Sequence, residues 1–343
     1  MNIQRLLRKN IKTLRAYSAK EIPCRVKLDA NESPYGFPSF LESLKEIRTN
    51  QYPDPEAREL RRAVARRWRL RIGQILTGNG SDELISCLVT TFGGPVLFPT
   101  PTFSMYGISA QALGEERIAI PLDSSFDLDT EKMLKAIRKY RPKLVFLSSP
   151  NNPTGNCFST DRILKILNAS RGIVVIDEAY QPFSGRRGML KLLKDYENVT
   201  IMRTLSKVGF AALRVGLLLG SEDLIEAVNR VRLPFNVNTL SQAVAAEAIR
   251  NFGEIEKTLR IICSERERLF EGLKGMEGIT PYPSEANFIL FKVRNAPAVY
   301  KKLLSTGVLV RNMGASLKDC LRVTVGRPED NGIFFKALTE AVA

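Results

Sequence analysis

From about residue 72 the chain repeats one pattern: a short apolar run rich in β-branched residues, then a stretch with helical periodicity. The runs fall at Ile75 to Thr77, Pro95 to Phe98, Arg117 to Pro121, Lys143 to Leu147, Ile173 to Ile176, Val199 to Met202 and Val215 to Leu219. Such runs are too short for helices, and being apolar throughout they suit strands covered on both faces by the helices between them. The pattern predicts an α/β fold with a mostly parallel sheet flanked by helices. With 343 residues the chain exceeds one core, so a smaller second domain is expected. The large domain is placed at residues 45–235. Beyond Pro234 a helical stretch from Thr239 to Gly275 precedes a smaller α/β unit, with strands near Phe288 to Phe291, Val308 to Val310 and Leu321 to Val325.

Composition removes whole classes of chemistry. There are no histidines, which excludes serine triads and histidine–zinc centres. Cys24, Cys87, Cys157, Cys263 and Cys320 are scattered and odd in number, which argues against a disulfide framework or a metal site and fits a reducing cytoplasm. No apolar stretch reaches the ~20 residues of a membrane span. The basic N-terminus lacks the apolar segment and cleavage site of a secretory signal, so it reads as part of the mature protein.

A formal charge of +15 raises the question of nucleic acid. Arg5, Arg8, Lys9, Lys12, Arg15 and Lys20 share the first twenty residues, and seven arginines lie between Arg58 and Arg71. Leu60, Val64, Ala65 and Trp68 fall at helical spacing among those arginines, and no nucleic-acid motif accompanies them. A solvated helix face is the better reading, with a general attraction for phosphorylated metabolites.

The remaining adjustable base is lysine, and one lysine stands among suitable partners. Asp177 ends a buried run, where a carboxylate can pair with a protonated pyridine nitrogen. Tyr180 follows three residues later, and Thr204, Ser206 and Lys207 share one short connection after the next run. An amine so placed can form a Schiff base, and the set suits a pyridoxal 5′-phosphate site. Gly78 to Glu83 follows a strand and opens a helix, so the N–H groups of Gly80, Ser81 and Asp82 are candidates for holding an anion, together with Thr204, Ser206 and the planar cation of Arg214. An ordinary capped turn is the bland alternative there, as a turn-capping carboxylate is for Asp177.

The strings DEAY (Asp177 to Tyr180), TLSK (Thr204 to Lys207) and FAALRVG, with the loop Asn151 to Gly155, resemble the fold-type I pyridoxal-phosphate-dependent aminotransferases. Within them LDANESPYG (Leu28 to Gly36), YPDP (Tyr52 to Pro55), GNGSDE, PTFSMY (Pro101 to Tyr106), LVRNM and LRVTVG run in the order of the histidinol-phosphate aminotransferases, from residue 28 to residue 326. The resemblance implies that residues 1–44, with an N-terminal arm, join 236–343 in the small domain. It implies that Lys207 carries the cofactor, that Asn152 and Tyr180 hydrogen-bond its phenolic oxygen and that Tyr106 stacks on its ring. Arg322 would grip the substrate carboxylate, Tyr35 and Arg311 the phosphate of histidinol phosphate. Tyr52 would reach the cofactor phosphate of a neighbouring subunit, giving a homodimer with shared sites.

Competing roles exist for several of these: core packing for Tyr106, a surface ion pair for Arg322, tight-turn packing for Tyr35 and Tyr52. Phe103 stands where the family often has tyrosine, Leu217 where an aromatic is common, and Pro182 and the pair Arg186, Arg187 are locally unusual. The expected reaction is amino transfer between L-histidinol phosphate and 2-oxoglutarate. The alternatives are transamination of aromatic amino acids, a threonine-phosphate decarboxylase on the same cofactor site, and a basic nucleic-acid-binding protein retaining only the fold.

Overall fold

The computed structural model describes residues 2–14, 22–45 and 47–342; Arg15 and Lys20 of the basic N-terminal cluster lie outside these. Among the described residues twelve strands occur in chain order: β1 (Val26–Leu28), β2 (Ile75–Asn79), β3 (Val96–Thr100), β4 (Arg117–Pro121), β5 (Leu144–Ser148), β6 (Ile173–Asp177), β7 (Val199–Thr204), β8 (Val215–Leu219), β9 (Ile279–Pro281), β10 (Phe288–Val293), β11 (Val308–Asn312) and β12 (Cys320–Thr324). The seven apolar runs read from the sequence are β2 to β8, and they form one sheet in the order β2-β8-β7-β6-β5-β3-β4. Only β8 runs against the rest, antiparallel to both its neighbours. A five-stranded sheet, β1-β11-β12-β10-β9, carries the other strands. Among the described residues no helix is long and apolar enough to cross a membrane.

The large sheet separates two cores, and strand parity decides which side chain enters each. Phe146, Val175, Met202 and Leu218 pack with Leu84, Ile85, Leu88 and Tyr106 beneath the helices Gly80–Phe92 and Met105–Leu113. Val145, Leu147, Val174, Ile176, Ile201 and Leu217 enter the opposite core. There the helices Thr130–Tyr140 and Thr160–Ala169 bury Met133, Ala136, Ile137 and Ile163, Ile166, Leu167 at helical spacing. Side chains two apart share a face, so Ser148, Asp177 and Thr204 fall on the Tyr106 side, at the ends of β5, β6 and β7. Glu178, one residue on, turns the other way and meets the Arg203 guanidinium at 2.6 Å, while Arg203 lies over Trp68.

Three features differ from expectation. The helical stretch after Thr239 is two helices, Thr239–Arg250 and Phe252–Lys274, interrupted at Asn251. β1 and β9 extend the small sheet beyond the three expected strands. Part of the N-terminus attaches to the large-sheet unit: the Asn10 side-chain amide donates to the Gln111 and Ala112 carbonyls at 2.8 and 2.9 Å, in the last turn of helix Met105–Leu113. The arginines of helix Arg58–Trp68 face carboxylates of the same chain, Arg61 meeting Glu56, Arg62 meeting Glu59 and Arg67 meeting Glu256.

Candidate active site

Asp177 is buried where β6 ends, between β5 and β7. Its Oδ1 accepts the Ala179 N–H at 3.0 Å and its Oδ2 the Tyr106 hydroxyl at 2.7 Å. Burial raises its pKa to about 6, and those two donors oppose the rise. A carboxylate in this state gains from a cationic N–H partner. Tyr106 takes a part different from the expected stacking. Its ring is fully enclosed and lies parallel to Phe146, with centroids 4.6 Å apart, so no face is open to a second ring. Burial and the neighbouring Asp177 charge push its hydroxyl pKa well up, which keeps it protonated and donating. Phe103, half-buried and edge-on to Tyr106 at 5.6 Å, is the aromatic with surface to offer.

Lys207 follows β7 by three residues. Its Nζ lies 5.7 Å from the Tyr180 ring centre and donates to the Ala30 carbonyl at 3.4 Å. The Tyr180 hydroxyl accepts the Asn31 side-chain amide at 2.9 Å. Asn152 gives its Oδ1 to Arg322 Nη1 at 2.6 Å, which turns its amide NH2 away from the arginine. Tyr180 and Asn152 thus each keep a donor for an acceptor between them. Asn151, by contrast, is buried and ties its loop together through Pro101, Thr102 and Thr154.

The anion cradle forms where β8 passes the start of helix Gly80–Phe92. The Gly80 N–H donates to the Arg214 carbonyl at 2.7 Å, and Arg214 has a left-handed φ of 52°. Its guanidinium reaches Ser206 Oγ at 3.5 Å and Asp82 at 3.2 Å. Thr204 and Ser206 hydroxyls are 2.9 Å apart. Gly80 has φ +78°, and a Cβ there would lie 2.5 Å from Arg214 Nη2; one on Gly216 would lie 2.6 Å from the Gly80 carbonyl carbon. The close approach requires both glycines. Hydroxyls, a guanidinium and a helix start converge, which is a donor set for a phosphate. With Asp177 for a ring nitrogen, two donors for a ring oxygen and the Lys207 amine for an aldehyde, the residues fit pyridoxal 5′-phosphate.

The family model for aminotransferase class I and II matches residues 24–338. The chain belongs to that family. Relatives of this aminotransferase include histidinol-phosphate aminotransferases of Aquifex aeolicus, 43% identical over 98% of each chain, and of Caldanaerobacter subterraneus subsp. tengcongensis, 39% identical over 99% of this chain and all of that one. A solved histidinol-phosphate aminotransferase from Sinorhizobium meliloti, in complex with pyridoxal-5′-phosphate, superposes with a TM-score of 0.89 at 25% identity, covering 98% of this chain and 97% of that one.

Toward the substrate side, this aminotransferase sets Arg311 of β11 directly opposite Arg322 of β12 in antiparallel register. Opposed residues present their side chains on one face, which brings two guanidiniums together there. Arg322 also donates from Nη2 to the Asp29 carbonyl at 2.7 Å, and its guanidinium lies 5.1 Å from the Phe288 ring centre. Tyr35 is half-buried beneath the Arg327 guanidinium, 5.5 Å from its ring centre. Tyr52 is 82% exposed and stacked on Phe235, itself 39% exposed. Two contributors escaped sequence reading: the Asp177-directed hydroxyl of Tyr106 and the amide of Asn31. Each depends on partners far away in the chain.

Proposed function

We propose that the protein is a cytoplasmic, homodimeric histidinol-phosphate aminotransferase that uses pyridoxal 5′-phosphate to move the amino group of L-histidinol phosphate to 2-oxoglutarate, giving imidazole acetol phosphate and L-glutamate. The observation that carries the substrate choice is the cross-strand pair Arg311 and Arg322, the latter bonded to Asn152 and to the Asp29 carbonyl, next in the chain to the Ala30 carbonyl that accepts from Lys207. Two guanidiniums on one face suit a phosphate dianion better than a neutral aromatic side chain. The names of the relatives support the same reading.

When bound, the cofactor supplies an electron sink for the pair left at the substrate Cα. The protein's part is placement and proton handling. The helix start at Ser81 and Asp82, with Thr204, Ser206 and Arg214, holds the cofactor phosphate; the Gly80 N–H, expected among these donors, is taken by the Arg214 carbonyl, so Gly80 serves the close approach of the chain instead. Asp177 keeps a proton on the ring nitrogen, oriented by Tyr106 and Ala179. Tyr180 and Asn152 donate to the phenolic oxygen, and Phe103 covers the ring. Lys207 would be the residue that holds the cofactor's aldehyde carbon, and its amine, once free, would be the base that takes the substrate Cα proton and passes it on. Arg311, Arg322 and Tyr35 hold substrate: Arg322 serves the carboxylate of glutamate, and with Arg311 and Tyr35 the phosphate of histidinol phosphate. The exposed pair Tyr52 and Phe235 belongs to the subunit interface, from which Tyr52 reaches the partner's cofactor phosphate.

The test is glutamate formation from histidinol phosphate and 2-oxoglutarate, with phenylalanine as alternative donor and carbon dioxide release from threonine phosphate as a further control. Arg311→Glu should cut kcat/KM for histidinol phosphate by about 100-fold or more, the loss of ~3 kcal/mol expected when a charge-assisted contact is reversed, and leave phenylalanine within severalfold. Brisk turnover of phenylalanine with no glutamate from histidinol phosphate would overturn the substrate reading.

A further inference from the structure

One short strap touches three site residues on three different elements. The Asp29 carbonyl accepts from Arg322, the Ala30 carbonyl from Lys207, and the Asn31 side chain reaches the Tyr180 hydroxyl. Asn31 is buried and holds φ 55°, a conformation asparagine tolerates better than most residues.

The direction of the Asn31–Tyr180 bond follows from its surroundings. The Asn31 backbone N–H donates to Thr324 Oγ1 at 3.0 Å. The Thr324 hydroxyl proton is thereby directed to Asn31 Oδ1, 3.4 Å away. An amide whose oxygen faces Thr324 turns its NH2 to Tyr180, and the Asn287 side chain, donating to the Asn31 carbonyl at 3.0 Å, fixes the backbone behind it. Asn31 is therefore the donor. The Tyr180 oxygen accepts, and its own proton is free to point elsewhere.

We propose that Asn31 is a positioning residue that sets the proton direction of Tyr180, so that the hydroxyl donates to the cofactor's phenolic oxygen. The proposal rests on the cofactor reading given above. It ties the N-terminal strap and the small sheet, through β12 and the approach to β10, to the electronic state of a ring held mainly by the large sheet. A hydroxyl donating to the ring oxygen stabilises the more negative, high-pH form of the resting chromophore and holds its apparent pKa down.

The experiment is a pH titration of the visible absorbance of resting, cofactor-loaded enzyme, without substrate. Asn31→Gly removes the amide and accepts the left-handed φ. It should raise the apparent pKa by about half a unit, the scale of one net hydrogen bond. Asn31→Asp replaces the donor by an acceptor, draws the Tyr180 proton to itself and should raise the pKa further. In a Tyr180→Phe background the Asn31→Gly shift should vanish, because its only route is through the hydroxyl. Melting temperatures confirm that each variant is folded. No shift in either Asn31 variant, or an Asn31→Gly shift that persists undiminished with Tyr180→Phe, overturns the proposal. Wild-type protein that develops no visible chromophore refutes the cofactor reading itself, and this inference with it.

Discussion

Tyr106→Phe removes one oxygen and little else. The ring stays stacked on Phe146, so the substitution isolates the hydroxyl's bond to Asp177, which is 2.7 Å long and buried at both ends. A hydrogen bond to a charged group contributes about 1.5–3 kcal/mol, which corresponds to roughly 1–2 pKa units. Asp177, already lifted to about 6 by burial, would in the cofactor-free variant rise further, because the donor that opposes the rise is gone. The carboxylate that should hold the ring nitrogen's proton is then weaker and less well aimed. The dissociation constant for pyridoxal 5′-phosphate should rise by about 10-fold or more, the equivalent of the lower figure. kcat should fall while KM for either substrate changes little, since no substrate contact is lost. Cofactor titration of apoenzyme by absorbance, steady-state kinetics and near-ultraviolet circular dichroism measure these effects. In an Asp177→Asn background the same change should add almost nothing. Binding and kcat within twofold of wild type, or an undiminished loss in that background, would refute the role given to the hydroxyl.

Other consequences follow from the same geometry. Gly80→Ala places a Cβ against Arg214 at a φ of +78°; cofactor affinity should fall at least severalfold while affinity for pyridoxal, which lacks the phosphate, stays close to wild type, as paired titrations would reveal. Because Asp177 has its folded pKa raised from 3.8 to about 6, the stability tied to it is full below the lower value and lost as pH rises through the upper one, about 3 kcal/mol in all. Melting temperatures of cofactor-free wild type should therefore fall relative to Asp177→Asn between about pH 4 and pH 6 and level off above; a constant difference across that window would show that the carboxylate is not buried as described. Tyr52→Ala should weaken cofactor binding and leave the isolated fold unchanged, and mixing it with Lys207→Ala should restore part of the activity in hybrid dimers, measurable by glutamate formation.

The strands that build the site were legible because each run's apolar character reflects burial on both faces of one sheet, and β6 and β7 deliver Asp177 and Thr204 where the runs end. β1 and β9 were not legible as strands: three residues are too few for a periodic signal, and both lie at sheet edges. The break at Asn251 is hidden because apolar residues continue at helical spacing on both sides. Tyr106 could be found by motif but not understood, since a buried ring, a stacking ring and a hydroxyl donor look alike until the parity of β6 is fixed 71 residues later. Asn31 was invisible as a positioning residue for the same reason, its role being set by Thr324 and Asn287 at the far end of the chain. The N-terminal segment attaches to helix Met105–Leu113 through a side-chain amide and carbonyls, and neither carries a sequence pattern.

Most directly, the account stands on Lys207 as the point of covalent attachment. Borohydride reduction of enzyme saturated with pyridoxal 5′-phosphate, followed by proteolysis and mass spectrometry, should place a phosphopyridoxyl group on the peptide carrying Thr204 to Lys207, at the lysine, with Lys207→Ala unlabelled. A label on another lysine, or none in cofactor-saturated protein, would contradict it.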